Sequence, residues 1–165
     1  MNTWTARSTE EAFLLNPAFC SSVLRSGIGS YADDRHQGMP FPMLFMVLPV
    51  VLHKATREAL PPSTTTSLAA WMQLNPAARV SFWERLMSLK PYTQEALIFG
   101  STAHWFTFTA QGSAEVGAKA PSVQRILSKF TVDARECVLK ARMLGKSFSE
   151  CGDLETAMNL WGIRP

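Results

Sequence analysis

Residues 39–52 read MPFPMLFMVLPVVL, and residues 53–60 follow as HKATREAL. Fourteen positions pass without a charge, and the run holds Pro40, Pro42 and Pro49. A bilayer-spanning helix needs about 20 apolar residues, so the run is too short to cross a membrane. Pro40 and Pro42 suit the first turn of a helix, where an N–H has no intrahelical partner to lose. Phe41, Leu44, Phe45, Leu48, Val51 and Leu52 then share one broad stripe, and Met43, Met46 and Val47 fill the remaining face. A helix apolar all round belongs at the centre of a core. Pro49 is expected to kink or divide it.

The rest of the chain supports a soluble setting for that helix. At 165 residues the chain suits one compact domain, residues 1–165, able to bury a real core. Within it the pattern suggests N-terminal helices over 1–62, a central unit over 66–117 and C-terminal helices over 121–165. Hydrophobic residues make up 47% and charged residues only 18%, with 17 aromatics, which leaves apolar surface for a partner to cover. The net charge is +3. It is spread evenly, with five basic and five acidic groups in 1–60, four and three in 61–120, and seven and five in 121–165. A dedicated nucleic-acid binder concentrates its charge more strongly. Cys20, Cys137 and Cys151 form no CxxC, which points away from disulfides and zinc and toward a reducing compartment. The opening MNTWTARSTEEAFLLN lacks the pattern of a signal peptide, so a cytoplasmic location with no membrane contact is expected.

Around the apolar run the periodicity is helical, and the fold class is mainly α. STEEAFLL at 8–15 reads as a short capped helix. Asn16-Pro17 starts another, with Phe19, Cys20, Val23, Leu24 and Ile28 at helical spacing and Gly27 and Gly29 loosening its end. YADDRHQG then reads as a polar connection. Three short helices follow, over 66–74, 76–89 and 91–102, the last two separated by Pro91. In HWFTFTAQGSAEV, His104, Phe106 and Phe108 alternate with Trp105, Thr107 and Thr109, and Gln111-Gly112-Ser113 is turn chemistry. This segment fits a hairpin and a continued helix equally well. Residues 121–130 suggest a short helix. Thr131 caps a longer one whose stripe is Ala134, Cys137, Val138, Ala141, Leu144 and Phe148, with Glu136 and Lys140 four apart. A final short helix begins at Gly152-Asp153.

Helix, helix, helix and hairpin is also the order of a winged helix. Its third helix would offer Gln94, Glu95, Thr93 and Lys90, a poorly basic set for a DNA groove. A winged-helix DNA-binding protein is therefore the alternative reading, behind a protein-interaction use.

No catalytic signature is present: there is no P-loop, no GxSxG and no GxGxxG between strand and helix. His36, His53 and His104 lack metal-ligand spacing, and neither Glu10-Glu11 nor Asp33-Asp34 makes a catalytic dyad. The expectation is a non-enzyme with no cofactor and no metal. His53, Lys54 and Arg57 form a small basic cluster at a helix end. It either complements the helix dipole or contacts an anionic or acidic partner. Trp4, Trp71, Trp105 and Trp161 are candidate interface anchors, with core packing as the competing role.

Several phrases carry a likeness to a known family: VLPVVLHKATREAL at 47–60, TSLAAWMQLNP, ERLMSLKPYTQEALIFG, AMNLWGIRP, and the early NPAFCSSVL. Together they resemble the third family of middle components of bacterial three-component ABC systems, from about residue 16 to the end. His53, Lys54, Thr56, Arg57 and Glu58 match the family pattern in LHKATRE. The resemblance implies a subunit encoded between an SMC-like ABC ATPase and an effector, often a nuclease. Such operons defend bacteria against phage and plasmids, the Lamassu type being the known example. It further implies an adaptor or regulator that joins ATPase to effector, with DNA contact only inside the full complex.

Overall fold

Asn16 begins the body of the chain. Its side chain accepts the amide of Ala18 at 2.8 Å, and Pro17 takes the first helical position, so α1 (Pro17–Arg35) starts where the cap-and-proline pair dictates. The computed structural model describes Ser8 and residues 15–163, so Trp4 and all but the ends of the helix expected over 8–15 lie outside the described residues.

α1 runs further than its sequence suggests. Gly27 and Gly29 do not end it, and Tyr31 to Arg35 are helical, leaving only His36 to Gly38 as a connection. His36 closes the helix in the left-handed conformation, at φ 53°. Arg35 holds this extension by donating to the carbonyls of Ser149 at 2.6 Å and Gly152 at 2.7 Å.

The apolar run divides into a two-residue strand, β1 (Met39–Pro40), and a helix, α2 (Phe41–Val51). Pro49 lies inside α2 and does not divide it. Met43, Leu44, Met46, Val47, Leu48, Val50 and Val51 are all buried, so the helix without a polar face is the centre of the core. It contacts α1 and, among later helices, α5 (Phe82–Thr102), α7 (Val132–Glu150) and α8 (Leu154–Leu160). The short α3 (Lys54–Ala59) turns away from its end, and α4 (Leu68–Leu74) and a 3-10 turn (Pro76–Arg79) lead into α5.

α5 corrects a second expectation. Residues 82–102 form one helix, and Pro91 sits within it, so no turn sets off a separate third helix of the winged-helix kind. A proline removes one helical hydrogen bond, at a cost of about 3 kcal/mol. Burial of Thr93, Ala96, Leu97 and Gly100 just beyond Pro91 offsets this, with Thr93 Oγ1 bonding the Leu89 carbonyl at 3.1 Å.

The hairpin is present: β2 (Phe106–Phe108) and β3 (Ser113–Val116) are antiparallel around Gly112, whose φ is 76°. β3 also pairs with β1, Met39 opposite Ala114 and Pro40 opposite Ser113, giving a three-stranded sheet in the order β1-β3-β2. α6 (Val123–Leu127) completes the eight α-helices of the described residues.

Two close approaches fix the helix layer. α1 crosses α7 where Gly27 meets Gly145, and a Cβ at Gly145 would fall on the Gly27 carbonyl. Trp161, at the C-terminal cap of α8, lies against Phe82 at 4.6 Å and Trp71 at 6.1 Å between ring centroids, filling the space between α4, α5 and α8.

Candidate functional site

α2 ends at Val51 and the chain reverses into α3 through His53. The Nδ1 of His53 accepts the Thr56 amide at 3.3 Å and lies 2.7 Å from its hydroxyl, so this nitrogen carries no proton and His53 caps α3. Partial burial, and then the charge of Arg85, lower the imidazole's pKa from its ordinary value. His53 therefore acts as an acceptor at a helix start, and not as a cation complementing a helix dipole.

The members of the basic cluster read from the sequence differ in burial and in partners. Lys54 is exposed and pairs loosely with Glu58 at 3.7 Å. Arg57 is buried at 5% exposure, its Nε donating to Glu136 Oε2 at 3.1 Å and its Nη1 to the Val51 carbonyl at 2.9 Å. Glu136 and Lys140, four apart on α7, both reach to α3. Glu136 takes Arg57, and Lys140 Nζ donates to the carbonyls of Leu60 at 2.8 Å and Pro61 at 3.2 Å. Arg57 is thus a latch between α2, α3 and α7.

The tryptophans also differ in place. Trp71 and Trp161 are buried in the core, Trp71 donating its indole N–H to the Ala59 carbonyl at 2.8 Å. Trp105 is half-buried, edge-on to Phe99 at 5.3 Å, and it lines a groove.

That groove has a volume of about 1560 Å³. It is larger than the roughly 300–1,000 Å³ of a small-molecule pocket. Its floor is apolar: Phe19, Leu52, Leu89, Trp105, Ile126 and Phe130, with Phe19 and Phe130 edge-to-face at 5.5 Å. Its walls carry His53, Lys54, the largely buried Arg57, Arg85, Lys119, Arg125 and Lys129, and Asp133 is the one carboxylate among the described lining residues. Lys54, Lys119, Arg125 and Lys129 are exposed. Arg85 is tied back to the carbonyls of Val80 at 2.8 Å and Ala78 at 2.9 Å, and burial lowers its pKa.

Of the groove's lining residues the sequence singled out His53, Lys54, Arg57 and Trp105. The other cations come one at a time from α5, from the loop after β3 and from α6 and its exit, so no local run announces them.

Little else suggests chemistry. Among the described residues no group of three or more His, Cys, Asp or Glu side chains is arranged to hold a metal ion. Burial pushes the Cys20 thiol up to about 12 and the Cys151 thiol to about 11, far from a reactive thiolate. No described helix is long and apolar enough to cross a membrane.

Among known proteins, the family model described as ABC-three component system Middle Component 3 matches residues 4–165. No curated protein and no solved structure matches the chain.

Proposed function

The chain belongs to the Middle Component 3 family of ABC-three component systems, and from that membership we propose a non-enzymatic adaptor that links an SMC-like ABC ATPase to an effector, a nuclease in the simplest case. It would act in the cytoplasm, in a Lamassu-type defence complex against phage or plasmids. Family membership over almost the whole chain carries the reading, because a component of a three-part system has partner components to meet. The fold is consistent with the role. It offers a cation-walled, apolar-floored groove, and burial, complete for Cys20 and Cys137 and partial for Cys151, raises the pKa of its thiols. Contact with DNA would come through the assembled complex, since the chain shows no dense basic surface by sequence.

Co-expression with the two neighbouring gene products, followed by size-exclusion chromatography, tests the proposal. A stable complex in which omission of this chain separates ATPase from effector is the expected result. An ATPase–effector complex that forms equally well without it would overturn the adaptor role.

A further inference from the structure

The groove has features that select one kind of occupant. Four exposed cations, Lys54, Lys119, Arg125 and Lys129, stand over a floor that includes Phe19, Leu52, Trp105 and Phe130, against one described carboxylate, Asp133. Cations spaced around an apolar trough match a ligand that is acidic along its edges and apolar along its centre. A nucleic-acid backbone uses cations but does not need half-buried aliphatic and aromatic side chains beneath them, unless bases are unstacked onto the rings. A small ligand would leave most of the volume unfilled. Half-buried aromatics that already pack on neighbours, Phe19 on Phe130 and Trp105 on Phe99, are pre-ordered and lose little entropy when covered.

We propose that this groove docks an acidic amphipathic protein segment, with carboxylates along its rim and Leu or aromatic side chains on the floor between α1, α6 and α7. Its source in the ATPase or effector rests on the adaptor reading, but the recognition chemistry does not.

Two experiments test it on the full chain. In the first, fluorescence anisotropy follows a labelled synthetic peptide with Glu on one helical face and Leu and Phe on the other. A second peptide replaces each Glu by Lys, and a DNA duplex is run beside them. The expected result is saturable binding of the acidic peptide alone, weakened at least about ten-fold in the K119E/R125E/K129E variant and by added salt. These side chains are exposed, so an unchanged circular-dichroism melt confirms the variant's fold. No binding, equal binding of both peptides, or binding of the duplex in preference to the acidic peptide overturns the proposal.

In the second, a photo-crosslinking residue replaces Lys129 and the chain is assembled with its operon partners. A crosslink to an acidic segment of either partner supports the proposal, and one to DNA or to this chain itself overturns it. Partners that fail to co-purify while the acidic peptide still binds would remove the adaptor reading and leave the groove's specificity standing. Co-purification that the triple variant does not weaken, with no peptide binding, would remove the groove and leave the adaptor.

Discussion

Replacing Arg57 by Met tests whether this residue holds the fold together from inside. Met keeps most of the stem and removes the guanidinium. The Val51 carbonyl would then keep only the weak donor Cys137 Sγ at 3.5 Å, and a buried acceptor without a good partner costs about 1–3 kcal/mol. Glu136 would lose its 3.1 Å partner, and breaking a buried ion pair from one side costs about 3–5 kcal/mol. The Glu136 side chain is 36% exposed, so water can replace part of what it loses and the upper figures do not apply. The expected total is about 2–4 kcal/mol, from the carbonyl and the discounted ion pair together. With a urea m-value of about 2 kcal/mol/M, the unfolding midpoint should fall by about 1–2 M at unchanged slope. Glu136→Gln keeps an acceptor in place and should cost about 1 kcal/mol, and the double variant should be less destabilised than the sum. Circular dichroism during urea titration reads all four proteins. A midpoint for Arg57→Met within error of the parent, or strict additivity with Glu136→Gln, would refute the latch and return Arg57 to the surface.

Gly145→Ala should lower stability by about 1–3 kcal/mol, seen as a lower thermal midpoint, because the new methyl group meets the Gly27 carbonyl and α1 must shift on α7. Trp161→Ala removes a side chain wedged between Trp71 and Phe82 and should cost about 3–5 kcal/mol by the same measurement. The raised thiols of Cys20 and Cys151 contribute stability that is complete below their ordinary value of 9.0. It is lost as pH climbs toward about 11 and 12, so urea midpoints should fall over that range. His53 has a lowered pKa, so its contribution is complete above 6.5 and fades as pH falls; His53→Ala should remove that acid dependence and cost about 1 kcal/mol through the lost cap.

Local signals in the sequence were reliable where a single residue decides the backbone. Asn16 with Pro17, Thr131, and Asp153 each start the helix they announce, and Asp153 accepts the Thr156 amide at 2.7 Å. The uncharged run read correctly as a core helix because no register of it offers water a polar face. The misreadings all involve distant partners. Tyr31 to Arg35 look like a loop until Ser149 and Gly152 accept from Arg35. Pro91 looks like a break until the burial of Thr93 and Gly100 holds the helix beyond it. Arg57 looks like surface charge until α7 brings Glu136 alongside. The groove was only partly legible for the same reason: beyond His53, Lys54 and Arg57 its cations are single residues on separate elements, and only folding gathers them.

The pairing of Met39–Pro40 with Ser113–Ala114 bears on where the chain can be cut. A winged-helix unit over 66–117 would carry its hairpin as its own appendage and could be lifted out whole. Here the inner hairpin strand is also the seat for the start of α2, with the Phe41 amide bonded to the Gly112 carbonyl at 2.9 Å. A fragment ending near residue 62 would lose the strand that anchors its central helix. A fragment beginning near residue 66 would expose β3 as an open edge, ready to pair with another copy. The two pieces should be soluble together and aggregate apart, because the sheet joins distant parts of the chain and belongs to neither alone.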